Sequence, residues 1–237
     1  MVRGPAALLA VVGAALAYFI VAPELPQLHP PELSALVASA IGLTFVVAIV
    51  AGMAAMADSP FTLFPAVLGA ALLVAALDAN DVGAAATPFE VVLLCCLGIA
   101  FAVVFDAPAL AVALPLFLAV IDIVQAQGSG SAGLFTLSTS KPGDALTLEL
   151  PDWGTGLAAA RLGAPDVVFL GAFAAYARRL GLRERAAELG MFLGLLAAVA
   201  SEVLLDSELP TIALMAVGYL APNVDRVGAL FARPPDE

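Results

Sequence analysis

Apolar residues in this chain come in long blocks, and the polar residues collect between them. Eight runs stand out, near 5–23, 33–57, 60–77, 88–105, 107–127, 156–178, 185–205 and 209–231. Each is roughly 17–25 residues long, the length a helix needs to cross a hydrocarbon core of about 30 Å. The pattern predicts an all-α polytopic membrane protein of about eight transmembrane helices. Prolines set many of the boundaries. Pro23, Pro26, Pro30 and Pro31 mark one loop, and Pro60, Pro88, Pro108 and Pro210 sit near predicted helix starts. The first run follows Arg3 as a secretion signal would. The stretch "VAPELPQLHPP" after it has no small-x-small cleavage site, so it reads as a span.

One interruption differs from the rest. Between Gln127 and Thr155 lies "GSGSAGLFTLSTSKPGDALTLELPDWG". "FTLS" and "LTLEL" alternate apolar and polar side chains, and "KPGD" separates them. That predicts a β-hairpin over about 134–150, at the rim of the helices, with Leu146, Thr147 and Leu148 in its second strand. An isolated hairpin is marginal in water, so it should lean on the helices or gain a third strand. A flexible Gly/Ser loop without fixed strands is the competing reading.

Composition supports the membrane reading. The 237 residues are 62% hydrophobic and 12% charged, with a mean hydropathy of +1.05. Soluble domains are nearer 45–50% apolar and about 25% charged. The expected organisation is one integral membrane domain, with about four N-terminal helices over 1–106 and the chemistry-bearing helices over 107–237. A net charge of −11 argues against nucleic-acid binding, which needs a basic face. Cys95 and Cys96 are adjacent, so on a helix they point about 100° apart and read as packing residues. His29 is the only histidine, with no HExxH and no GxSxG. Neither metal nor Ser–His chemistry is indicated, and no cofactor motif is present.

With eight spans, Arg3, Arg178, Arg179, Arg183, Arg185, Arg226 and Arg233 share one side, and Lys141 and Arg161 fall on the other. The positive-inside rule then predicts cytoplasmic termini and an external hairpin loop.

Most acids lie at span ends and read as solvated: Glu24, Asp58, Asp78, Asp81, Asp106, Asp206 and Glu208. Two do not. Asp122 sits in "LPLFLAVIDIVQAQ" and Asp166 in "LGAPDVVFLGAF". An acid at the centre of a span costs about 2.5–3.5 kcal/mol on insertion scales, and such residues face the bundle interior or a water cavity. The expected depths from the hairpin side are roughly 8 Å and 15 Å. Antiparallel neighbours would bring the two together if the fifth span ends a turn later. Two carboxylates in contact share a proton, the arrangement that activates water for amide hydrolysis. The alternative is two unrelated acids, each hydrogen-bonded to a helix. Gly163, Ala164 and Pro165 precede Asp166, predicting either an irregular, closely packed helix beside the acid or an ordinary proline kink.

The order of these features resembles the presenilin and signal peptide peptidase family of intramembrane aspartyl proteases. That family has Tyr-Asp in one helix, Gly-x-Gly-Asp in the next and Pro-Ala-Leu in the last. Here Ile121-Asp122, Gly163-Ala164-Pro165-Asp166 and Pro210-Thr211-Ile212 stand at the corresponding places over about residues 107–231. Ile121 replaces the Tyr, Pro165 the second Gly, and Thr211-Ile212 the Ala-Leu. Eight spans replace the usual nine. Prepilin peptidases share Gly-x-Gly-Asp but carry a Lys soon after, where this chain has Val167 and Val168. The resemblance implies a divergent bacterial or archaeal member in the plasma membrane, needing no metal or cofactor. Asp122 and Asp166 would be its catalytic pair. Gly163, Ala164, Pro165, Pro210, Thr211 and Ile212 would shape its site. Leu146, Thr147 and Leu148 would receive an unwound substrate as an added strand. Its partners would be the bilayer and single-span segments or signal-peptide remnants, in the signal peptide peptidase orientation. Two other readings compete: a proton- or ion-coupled transporter using Asp122 and Asp166, with no inverted repeat in its favour, and an inactive scaffold that keeps the fold.

Overall fold

The computed structural model describes residues 4–80, 83–127, 147–155, 158–205, 207 and 209–232. Its helices are α1 (Pro5–Val21), α2 (Pro31–Ala54), α3 (Leu63–Asp78), α4 (Gly83–Val104), α5 (Pro108–Gln127), α6 (Ala164–Arg179), α7 (Glu184–Leu205), α8 (Thr211–Leu220) and α9 (Val224–Ala232). Two strands, β1 (Thr147–Pro151) and β2 (Ala158–Gly163), lie between α5 and α6. Five segments are long and apolar enough to cross a membrane: Pro5–Glu24, Pro31–Asp58, Ala85–Val104, Pro108–Ala126 and Glu184–Leu205. Every one of the eight apolar runs carries helix, but three differ from expectation. The sixth begins as strand β2 and turns helical only at Ala164. The last is broken by a short 3₁₀ turn, Ala221–Asn223, into α8 and α9. In the fourth, Pro88 lies inside α4 instead of opening it.

Glycine sets which helices come closest. A Cβ at Gly98 of α4 would stand 1.9 Å from the Val168 carbonyl oxygen of α6, and one at Gly171 of α6 would stand 2.9 Å from the Cys95 carbonyl oxygen. On the other flank, Gly190 and Gly194 form a GxxxG face on α7. Gly190 packs on Gly218 of α8, where an added Cβ would come 2.1 Å from the Gly218 carbonyl oxygen. Among apolar surfaces in lipid, small residues of this kind allow backbones to pack closely enough for dispersion to hold helices together. Cys95 and Cys96 are buried packing residues in the first of these seams.

These contacts also set depth. Gly98, well past the middle of α4, lies against Val168 and Ala172, near the start of α6. Gly194, near the middle of α7, lies against Leu214, near the start of α8. Both α6 and α8 therefore begin partway through the bundle, level with the middle of a longer neighbour.

The strands pair antiparallel, Thr147 opposite Gly163 and Leu148 opposite Leu162, with an irregularity at Leu150/Pro151. The expected pairing with "FTLS" lies outside the described residues, and among the described residues β1 has another partner. "LTLEL" does supply β1, but β1 pairs with "AAARLG", the segment after it. "FTLS", "KPGD" and Leu146 lie outside the described residues. The sheet is also not at the rim. Leu150 packs 3.2 Å from the Cβ position of Gly42, about 16 Å along α2 from Pro31. Leu148, Leu150, Ala160 and Leu162 are buried on the helices, while Glu149 faces Arg161 across the pair at 3.8 Å. The turn after β1 uses Gly154 at φ 76°, a conformation suited to glycine. Trp153 anchors it by donating its indole N–H to the Tyr18 hydroxyl at 3.2 Å, and Tyr18 in turn donates to the Ala38 carbonyl at 2.7 Å.

At the opposite end, which we call the arginine end, Arg178 pairs with Asp58 at 2.6 Å and Glu184 at 3.2 Å. Arg179 pairs with Asp106 and donates to the Ala57 carbonyl at 2.9 Å. Arg183 pairs with Asp225 at 2.8 Å. Asp58 and Asp106, expected as merely solvated, thus tie α2 and α4 to the end of α6.

Candidate functional site

Asp122 lies on the side of α5 that meets α8. The helix α8 opens at Pro210, whose backbone is extended and whose side chain cannot cap. The first amides of any helix lack partners within it. Here Asp122, from a different helix, supplies the acceptor: Ala213 donates its N–H to Oδ2 at 3.0 Å, and the Ile212 amide joins it. The positive end of the helix dipole further favours a carboxylate there.

Asp166 sits in the first turn of α6. The N–H of Gly163, at the N-cap, donates to its Oδ2 at 3.0 Å. This is the reciprocal half of a capping box, an acid at the third helical position reaching back to the cap. A Cβ at Gly163 would come 3.3 Å from that oxygen, so a side chain there would crowd the carboxylate. Pro165 corrects an expectation. It stands in the first turn, where its missing N–H costs nothing, so it starts the helix and does not kink one. Asp166 is therefore not about ten residues inside a long helix. It reaches the interior because its short helix begins there.

The two carboxylates come from neighbouring helices. Asp122 lies within electrostatic reach of Asp166. Around them stand the starts of α6 and α8 and the end of the sheet. Ala164 and Ile212 are buried, and Pro165 and Thr211 are half-buried beside them. Thr147, opposite Gly163, brings the start of β1 to the same spot, while Leu148 points into the core at 2% exposure. Of the expected site residues, only Leu146 lies outside the described residues.

Gln125 was missed. It lies one turn beyond Asp122, and its Oε1 is buried with no hydrogen-bond partner among the described residues. The signal was present in "IDIVQAQ": a polar residue three positions from an acid shares its helix face. The Ile212 and Ala213 amides could not be foreseen, because a backbone donor leaves no side-chain signature. Among the described residues no group of three or more His, Cys, Asp or Glu is placed to hold a metal ion.

Chemically, this is a pair of carboxylates at the buried ends of two short helices. Each is oriented by backbone donors and retains acceptor capacity, since an ionised carboxylate offers about four lone-pair sites. Comparison with protein-family models, with curated proteins and with solved structures finds no match to this chain, so its functional reading rests on these residues.

Proposed function

We propose that the protein is an aspartic endopeptidase that cleaves membrane-embedded peptide segments, with Asp122 and Asp166 as its dyad. The observation that carries this reading is that Asp122 of α5 and Asp166 of α6 each accept backbone amides at the recessed start of a short helix, within electrostatic reach of one another. In the reaction one carboxylate takes a proton from water while the other, protonated, gives its proton to the amide carbonyl oxygen. The resulting hydroxyl adds to the carbonyl carbon. Collapse of the tetrahedral intermediate breaks the C–N bond, and the amine leaves with a proton from the dyad. Backbone amides holding one face of each carboxylate pre-organise the pair, which is where enzymes gain most.

The sheet supports the reading. β2 runs directly into the cap of α6, so an extended segment lying along the sheet passes the carboxylates. Main-chain pairing suits a substrate read by backbone more than by side chain. The arginine grouping favours cytoplasmic termini with the site opening toward the other face. Substrates would then be single-span segments or signal-peptide remnants of a prokaryotic plasma membrane.

The test is cleavage of a single-span substrate by purified protein in detergent. Asp122→Asn and Asp166→Asn should each abolish it while helicity by circular dichroism is retained, since a shared-proton pair fails when either member is lost. Cleavage surviving in both variants would refute the proposal.

A further inference from the structure

A cavity lies toward the arginine end of the molecule, away from Asp122 and Asp166. It occupies about 750 Å³ between α2 and α7, within the range of small-ligand sites. One wall is a face of α2: Thr44, Val47, Ala48, Ala51 and Ala55. These positions recur every three or four residues, so the small side chains stack as a continuous trough. The facing wall is Leu189 and Phe192 of α7. From Ala55 to Thr44 the trough is about 16 Å long. One leaflet of a bilayer has an acyl layer of about 15 Å.

The mouth, at the arginine end, is charged with both signs. Arg178 is engaged by Asp58 and Glu184. Arg185 and Glu188 stand on the same face of α7 as Leu189 and Phe192. Glu188 is half-buried and, among the described residues, forms no hydrogen bond or ion pair. Arg185 and Arg178 are the cations that act on it, and a half-buried carboxylate beside an apolar trough retains acceptor capacity for a further donor.

We propose that this cleft binds a phospholipid of the leaflet at the arginine end, with a headgroup carrying a phosphate and a primary ammonium. The acyl chain fills the α2 trough. The phosphate meets Arg185, whose guanidinium has five donors and more than one bond to give. The ammonium donates to Glu188. An aqueous metabolite would leave the trough empty, and a purely anionic lipid would leave Glu188 unmatched, so charge and length together select this class. The proposal does not depend on the proteolytic reading.

The test is thermal unfolding of the purified full chain in detergent, titrated with three lipids of identical acyl chains. Phosphatidylethanolamine should raise the midpoint by about 5 °C near a hundredfold excess over Kd. Phosphatidylcholine, whose ammonium has no N–H, and phosphatidylglycerol, which has no cation, should raise it less. Glu188→Gln should bring the phosphatidylethanolamine shift down to that of phosphatidylcholine. Arg185→Gln should weaken all three shifts, and Ala48→Phe, which fills the trough, should remove them. Equal shifts with the three lipids, or an undiminished phosphatidylethanolamine preference in Glu188→Gln, would overturn the proposal.

Discussion

The contact between Gly190 of α7 and Gly218 of α8 can be tested with one methyl group. In Gly218→Ala the new Cβ would lie 2.2 Å from both the carbonyl carbon and the carbonyl oxygen of Gly190. Carbon atoms rest at about 3.5–4.0 Å, so the helices must part by about 1.5 Å. The obstacle is backbone, which has no alternative rotamer. Two effects compete. Alanine in place of glycine in a helix interior gains about 1 kcal/mol of propensity. Overpacking costs about 1–3 kcal/mol, and a gap of 0.5–1 Å forfeits about a quarter to a half of each dispersion contact along the seam. Here the loss exceeds the gain, by about 1–2 kcal/mol. At about 2–4 °C per kcal/mol for a chain of this size, the unfolding midpoint in detergent should fall by about 2–8 °C. Gly13→Ala in α1 is the control. Nothing lies within 4 Å of a Cβ there, so the propensity gain stands alone and the midpoint should rise. A Gly218→Ala protein that melts at or above wild type would show that the seam is not closed as described. The same variant carries a functional consequence. Shifting α8 against α7 moves the Ala213 amide that binds Asp122, so the proposed proteolysis should fall more than the lost stability accounts for.

Other expectations follow from single contacts. Gln125→Leu removes a buried acceptor that has no partner among the described residues, so stability should hold or rise by about 1 kcal/mol; if the carboxamide positions substrate, KM should rise several-fold, and unchanged kinetics would exclude that role. Arg178→Ala breaks the pairs to Asp58 and Glu184 and should cost about 1 kcal/mol at low salt, with the difference from wild type narrowing in 1 M salt; a salt-independent difference would assign the loss to packing. Trp153→Phe keeps the aromatic contact but loses the bond to Tyr18, and a melting point lowered by about 0.5–1.5 kcal/mol equivalent is expected. Ser140→Cys, with Cys95 and Cys96 changed to Ala, should react with an impermeant thiol reagent from outside the cell; labelling only after lysis would reverse the proposed orientation.

Much of this protein is legible along the chain because the bilayer imposes length. A helix must be apolar for about 20 residues to satisfy its backbone inside lipid, so α2, α4, α5 and α7 can be read from hydropathy alone. The two acids are legible for a related reason: a carboxylate inside an apolar run is costly and so marks a candidate site. What hydropathy does not reveal is where a short helix begins in depth. "GLAAARLGAPDVVF" is apolar apart from Arg161 and Asp166, and hydropathy cannot tell the strand Ala158–Gly163 from the first turns of α6. Pairing with "TLELP", together with Gly163 and Pro165 at the helix start, decides it. The depth of that start comes from Gly98 admitting Val168 and Ala172, a contact between segments far apart in sequence. The same holds for α8, set against α7 by Gly190 and Gly194. The partner of Asp122 is the least legible feature of all. It is a backbone amide in another helix, and only tertiary packing could bring Ala213 to it.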